Sequence, residues 1–155
     1  MNLLRWFGLI FICGMLGGSV VAQSQTPFYT DRMVDINAAV VSPDNSMVAV
    51  AGAEAVEGQD YFTPVAQIYN AQNEQLLFDL VALNPGVYGQ AVQHLSWRPD
   101  GKRLAGLGST GSGWAVFVWN IDDAGFTPGQ LITQIEVEEV AITMDWSPDG
   151  QKIAV

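Results

Sequence analysis

The chain has 155 residues, 49% apolar and 14% charged; that is enough apolar side chain for a core and excludes a disordered acidic tail. Lys and Arg number 6 against 16 Asp and Glu, and the net charge of −10 excludes nucleic-acid binding by phosphate neutralisation. A single Cys and a single His exclude an internal disulfide framework and a multi-histidine metal site.

Residues 1–22 read as a secretory signal peptide, expected to be helical. Arg5 carries the positive charge, Trp6 to Leu16 is apolar apart from glycine, and Gly17 to Ala22 is small and aliphatic. Val20 and Ala22 suit the −3 and −1 positions of a cleavage site before Gln23. A retained anchor is the alternative, although the apolar run is short and ends in glycine. Cys13 follows Ile12, not the small residue that a lipid-attachment site requires. Cleavage after Ala22 removes the only Cys, which suits an oxidising periplasmic or extracellular compartment, with membrane contact only transient. Residues 23–32 are expected to be a linker, or at Thr26 to Thr30 a strand that closes a ring.

Strands are expected at about 33–41, 47–52, 65–70 and 75–81. A second series is expected at about 91–97, 103–108, 114–120 and 130–137, clearest in Trp114-Ala-Val-Phe-Val-Trp119. A third begins at Ala141. Residues 36–50, 92–106 and 141–155 align without gaps. Each holds a Pro-Asp pair (Pro43-Asp44, Pro99-Asp100, Pro148-Asp149) two residues after Val41, Trp97 or Trp146. Each continues into Val48-Ala49, Leu104-Ala105 or Ile153-Ala154. Pro presets φ for a turn, Asp bonds nearby backbone, and Asn45, Gly101 and Gly150 accept positive φ, so each copy predicts a β-hairpin. The prolines lie 56 and 49 residues apart, and the difference falls in two loops, Ala53 to Pro64 and Leu83 to Gln90. Four strands in a period near 50 predict an all-β fold of β-propeller blades.

These repeats resemble the WD40 repeat in a diverged bacterial form, with the TolB-like propeller as a near neighbour. Val92, Leu95, Trp97, Pro99, Asp100, Gly101, Leu104 and Ala105 match its pattern, as do Ala141, Met144, Trp146, Ser147, Pro148, Asp149, Gly150, Ile153 and Ala154. Ile36, Ala39 and Val41 carry the weaker first copy, and Trp119 stands at the family's Trp-Asp pair with Asn120 in place of Asp. The family's Gly-His pair is absent, and no Asp lies between Gly108 and Gly113. The resemblance implies four-stranded antiparallel blades at 33–82 and 83–137 and a partial blade at 138–155. The remaining blades are expected from a longer chain; self-assembly into a ring is the alternative.

No residue is expected to be catalytic, to bind a cofactor or to hold a metal. Gly106 to Gly111 fits G-x-G-x-x-G, but a strand follows instead of the helix that meets a pyrophosphate, so a flexible loop is expected. His94 is the only candidate general base; strict alternation puts it on one face with Val92 and Ser96, and no G-x-S-x-G occurs. Glu136, Glu138, Glu139 and Asp145 lack calcium-loop spacing and read as solvated charge, and Asp122-Asp123 as turn residues. Trp97, Trp114, Trp119 and Trp146 read as packing between blades. The expected function is an exported, non-catalytic scaffold that binds a protein or peptide through the loops at 53–64 and 83–90, with basic partners favoured by the charge. The alternatives are the propeller domain of an exported hydrolase and a TolB-like envelope assembly component.

Overall fold

The computed structural model describes residues 33–55, 62–80, 90–110 and 113–155. The signal segment, the linker and the proposed closing strand at Thr26 to Thr30 lie outside them. Among the described residues every regular element is a strand. They are β1 (Met33–Val41), β2 (Met47–Ala55), β3 (Phe62–Asn70), β4 (Leu76–Asp79), β5 (Gln90–Trp97), β6 (Arg103–Thr110), β7 (Trp114–Asn120), β8 (Leu131–Val137), β9 (Asp145–Trp146) and β10 (Ile153–Ala154). They form two antiparallel four-stranded sheets, β1-β2-β3-β4 and β5-β6-β7-β8, and the two-stranded sheet β9-β10. Strand order follows chain order throughout, the meander that propeller blades require.

The central strands of the four-stranded sheets carry buried apolar residues on both faces, and the second sheet is packed on two sides. Ala49, Ala51, Ala66 and Ile68 of the first sheet meet Val92, Leu95, Trp97, Leu104, Phe117 and Trp119 of the second. The residues between them in sequence turn the other way: Ala105, Leu107, Val116 and Val118 meet Ala141 and Met144 of the third unit, with Trp146 and Ile153 beside them. Val48, Val50 and Tyr69 occupy the outer face of the first sheet. Each unit therefore has a leading face toward lower residue numbers and a trailing face toward higher ones.

Three expectations need correction. First, β2 and β3 run past their expected ends, with Ala53, Glu54 and Ala55 opposite Pro64, Thr63 and Phe62. Residues 53–55 and 62–64 of the expected loop are therefore strand, and 56–61 lie outside the described residues, as do 81–89. Second, Gly106 to Thr110 is strand and not flexible loop, paired on both sides by β5 and β7. A ladder joins backbone groups and does not need the apolar side chains that mark strands in a sequence. Third, a bulge between Val92 and His94 breaks the alternation. Val92 thereby joins Leu95 and Trp97 on the leading face, and His94 and Val92 do not share a face.

The same bulge occurs in β1 between Ile36 and Ala38. Gly52 and Gly108 sit opposite these bulges, facing Ile36 and Val92. A Cβ on Gly52 would overlap the Asp35 carbonyl, and one on Gly108 the Ala91 carbonyl. Only glycine lets the backbones approach this closely.

Candidate functional site at the turn end

The three Pro-Asp turns repeat one hydrogen-bond plan. Asn45, Gly101 and Gly150 have φ of 60°, 73° and 66°, and their N–H groups donate to the carbonyls of Ser42, Arg98 and Ser147 at 2.9, 2.8 and 2.8 Å. The Asp carboxylate accepts the backbone N–H two residues on: Ser46 to Asp44 at 3.0 Å, Lys102 to Asp100 at 3.0 Å and Gln151 to Asp149 at 3.1 Å. Ser42 and Ser147 each donate a hydroxyl to their Asp at 2.6 Å. Arg98 takes the serine's place in the second turn, binding Asp100 through Nε at 2.8 Å and a terminal nitrogen at 2.6 Å.

These donors hold the carboxyls in their ionised form. The Ser42 hydroxyl, aided by Ser46, lowers Asp44 to about 2. The Ser147 hydroxyl lowers Asp149, and the Arg98 guanidinium lowers Asp100. Asp100 in turn raises Arg98.

Neighbouring turns stand side by side and enclose two grooves. The first, about 330 Å³, is lined by Pro43, Asp44 and Met47 on one side and Pro99, Asp100, Gly101, Lys102 and Asp122 on the other. The second, about 290 Å³, lies between Arg98, Pro99 and Asp100 and the Asp149-Gly150-Gln151 turn. Asp123 ties the β7–β8 loop to this end by accepting from Arg103 at 2.6 Å and Arg98 at 3.4 Å. It is thus an ion-pair partner beyond its expected turn role. The antiparallel order places the strand ends at Ala55, Phe62, Asp79 and Gln90, on the side of the two loops expected to make contacts, at the opposite end.

The other singled-out residues disperse. His94 is on the strand surface that faces the third unit, and its Nδ1 is buried without a hydrogen-bond partner. Glu136, Glu138 and Glu139 are exposed. Asp145 separates from them by accepting the Ser96 hydroxyl at 2.6 Å across the unit boundary. Among the described residues no group of three or more His, Cys, Asp or Glu could hold a metal ion.

The tryptophans do pack between units. Trp97 Nε1 donates to the Val40 carbonyl at 3.2 Å, and Trp146 Nε1 to the Ser96 carbonyl at 3.1 Å. Val40 and Ser96 are equivalent positions of successive units, so one hydrogen bond recurs at both boundaries. The gapless repeat alignment contains that signal, but only once it is known that each Trp reaches back one unit.

No family model matches the chain, and a search of curated proteins finds no match. Among solved structures the chain is similar to hydrazine synthase of Kuenenia stuttgartiensis, a β-propeller-containing protein, with a TM-score of 0.55 and 18% identity over 88% of this chain. It spans 32% of the length of that structure. The likeness is one of fold: antiparallel β-sheets compatible with stacked propeller blades.

Proposed function

We propose that the chain is the blade-forming part of an exported, non-catalytic scaffold, a diverged WD40-like propeller, that binds a protein or peptide partner carrying basic side chains. The observation that carries this reading is the pair of grooves at the turn end, rimmed by Asp44, Asp100, Asp122 and Asp149. The turns are internally hydrogen-bonded, so the rim is in place before a partner arrives and little ordering opposes binding. Hydrogen bonds hold Asp44, Asp100 and Asp149 below the usual carboxylate range, and the net charge of −10 steers cations toward the molecule. A scaffold role also accords with the position of His94 within the stack, apart from the grooves.

Titration with a Lys/Arg-rich peptide and with a Glu-rich peptide of equal length, at two salt concentrations, tests the proposal. The basic peptide should bind, more weakly at high salt. Asp122→Lys should weaken it further, because Asp122 lines the first groove and is exposed. Equal binding of both peptides, or no effect of Asp122→Lys, would overturn it.

A further inference from the structure

The two grooves at the turn end are built from the same repeat positions. In each, the Pro-Asp pair of one turn stands across from the Asp, the Gly and the next residue of the following turn. Pro43-Asp44 meets Asp100-Gly101-Lys102, and Pro99-Asp100 meets Asp149-Gly150-Gln151. The last residue of each trio has a fixed backbone role, since its N–H donates to the Asp two residues before it. The Lys102 carbonyl is fixed as well, accepting from the Ile121 and Asp122 N–H groups at 2.9 and 3.2 Å. The turn thus sets the main chain at this position and leaves the side chain to differ. It is Lys102 in the first groove and Gln151 in the second, a cation in one and a neutral amide in the other.

The charges around the first groove are unequally committed. Asp100 is paired with Arg98 at 2.6 Å, and Arg98 chiefly, with a weaker pull from Lys102, holds it below the usual carboxylate range. Asp44 takes its hydrogen bonds from Ser42 and Ser46, which carry no charge. Asp122 and Lys102 are both exposed, and neither is in an ion pair among the described residues. One cavity of about 330 Å³ is therefore lined by two carboxylates without a paired cation, Asp44 and Asp122, and by one ammonium without a paired anion. A purely cationic ligand would meet the carboxylates but set its charge against Lys102, and like charges at an interface cost affinity. A ligand with a carboxylate beside its cation meets both signs. In the second groove Gln151 makes no such demand, and the Arg98 charge is already committed to Asp100 and Asp123.

We propose that Lys102 sets the specificity of the first groove, which takes a basic side chain with a carboxylate next to it in the partner, whereas the second groove takes a basic side chain alone. The carboxylate is that of an adjoining Asp or Glu or that of a chain end. The inference rests on the turn-end reading and deepens it, from a basic partner to one whose basic residue adjoins an anion.

The test titrates three peptides of equal length and equal Lys/Arg content, with acetylated N-termini, into the full chain. One has an internal Arg-Glu pair and an amidated end, one an internal Arg-Gln pair and an amidated end, and one ends on Arg with a free carboxylate. At least one of the two carboxylate-bearing peptides should bind about two- to fivefold tighter than the Arg-Gln peptide, the span of an exposed ion pair, and the one that does identifies the source of the anion. Net charge alone predicts the reverse order, because an added carboxylate weakens attraction to a chain of net charge −10. Lys102→Gln installs the residue found in the second groove and should cancel the preference. Lys152→Gln removes the same charge from a residue that lines neither groove, and should keep it. Three results overturn the proposal: an Arg-Gln peptide that binds as tightly as both others, a preference that survives Lys102→Gln, or one that Lys152→Gln abolishes equally. In each of these the turn-end reading stands. If no peptide binds the unaltered chain, that reading falls and this inference falls with it.

Discussion

At the scale of single residues, the Pro-Asp turns separate what each position contributes. Asp accepts the same backbone N–H in all three turns, whereas the residue before Pro needs only to donate to that Asp, and both Ser and Arg do so. Serine does more: the Ser42 hydroxyl also accepts the Met47 N–H at 2.9 Å, and the Ser147 hydroxyl accepts that of Lys152 at 2.9 Å. Arginine has no acceptor for that bond. Ser42→Ala removes the main cause of the low Asp44 pKa, so an NMR titration should find Asp44 moved up from about 2 toward 3.8. The sign follows from linkage: a carboxyl depressed in the folded state contributes stability above pH 3.8 that is lost as pH falls through about 2. Acid unfolding of the Ser42→Ala protein should therefore begin at higher pH; an unmoved Asp44 titration would refute this account. The bulge glycines give a second prediction. Gly108→Ala forces its Cβ against the Ala91 carbonyl, which should cost about 1–3 kcal/mol in urea unfolding. Gly113→Ala, with open space around it, should cost much less.

At the scale of elements, the sequence repeat makes the hairpins legible because Pro, Asp and Gly impose local geometry that needs no tertiary information. β1 and β7 were expected at the residues they occupy: β-branched and aromatic side chains mark most of β7, and the Pro43-Asp44 turn fixes where β1 ends. The ends of β2, β3 and β6 were not legible: Ala53 to Ala55 and Ser109-Thr110 carry little apolar character, and their ladders are backbone events. The bulge at Gln93 is missed by strict alternation, although the apolar spacing Val92, Leu95 and Trp97, three residues and then two, marks the extra residue within β5. A second trace lies across the sheet, in Gly52 and Gly108, which hold equivalent places in their units. The Trp bonds between units are likewise relations between elements, and they predict a graded result. Trp97→Phe keeps most of the packing but deletes the donor to the Val40 carbonyl. Thermal or denaturant unfolding should show a loss of about 1–2 kcal/mol, part from the hydrogen bond and part from lost ring area. Val41, the equivalent residue of the first unit, has no donor to lose, so Val41→Ile should be nearly silent by comparison.

At the scale of the molecule, the stack is held by faces of unlike texture. The trailing face of the first unit is rich in alanine (Ala49, Ala51 and Ala66, with Ala38 beside them), while the leading face of the second is large: Leu95, Trp97, Leu104, Phe117 and Trp119. Small residues on one sheet make room for rings on the other, which keeps density high without overpacking. Gly106 belongs to the same solution, since a Cβ there would lie 2.7 Å from the Trp119 ring. Phe117 and Trp119 stack at 5.7 Å between centroids. At the equivalent positions the first unit instead carries Gln67 and Tyr69, joined by a 2.6 Å hydrogen bond, with Gln67 also donating to Asp79 at 2.8 Å. The complementarity was illegible in the sequence because it couples residues about 50 positions apart whose types differ between copies. It implies that stability is shared across the boundary between units. Trp119 is 0% exposed, so Trp119→Ala should cost about 3–5 kcal/mol. Amide exchange should then quicken in β2 and β3 as well as in β6 and β7, because the cavity opens into a cluster that both sheets line. Met144→Ala, in the cluster between the second and third units, should quicken exchange in β6, β7 and β9 while leaving β2 and β3 protected. If Trp119→Ala changed exchange only within residues 90–137, the two sheets would be independent folding units and the shared-face account of the stack would fail.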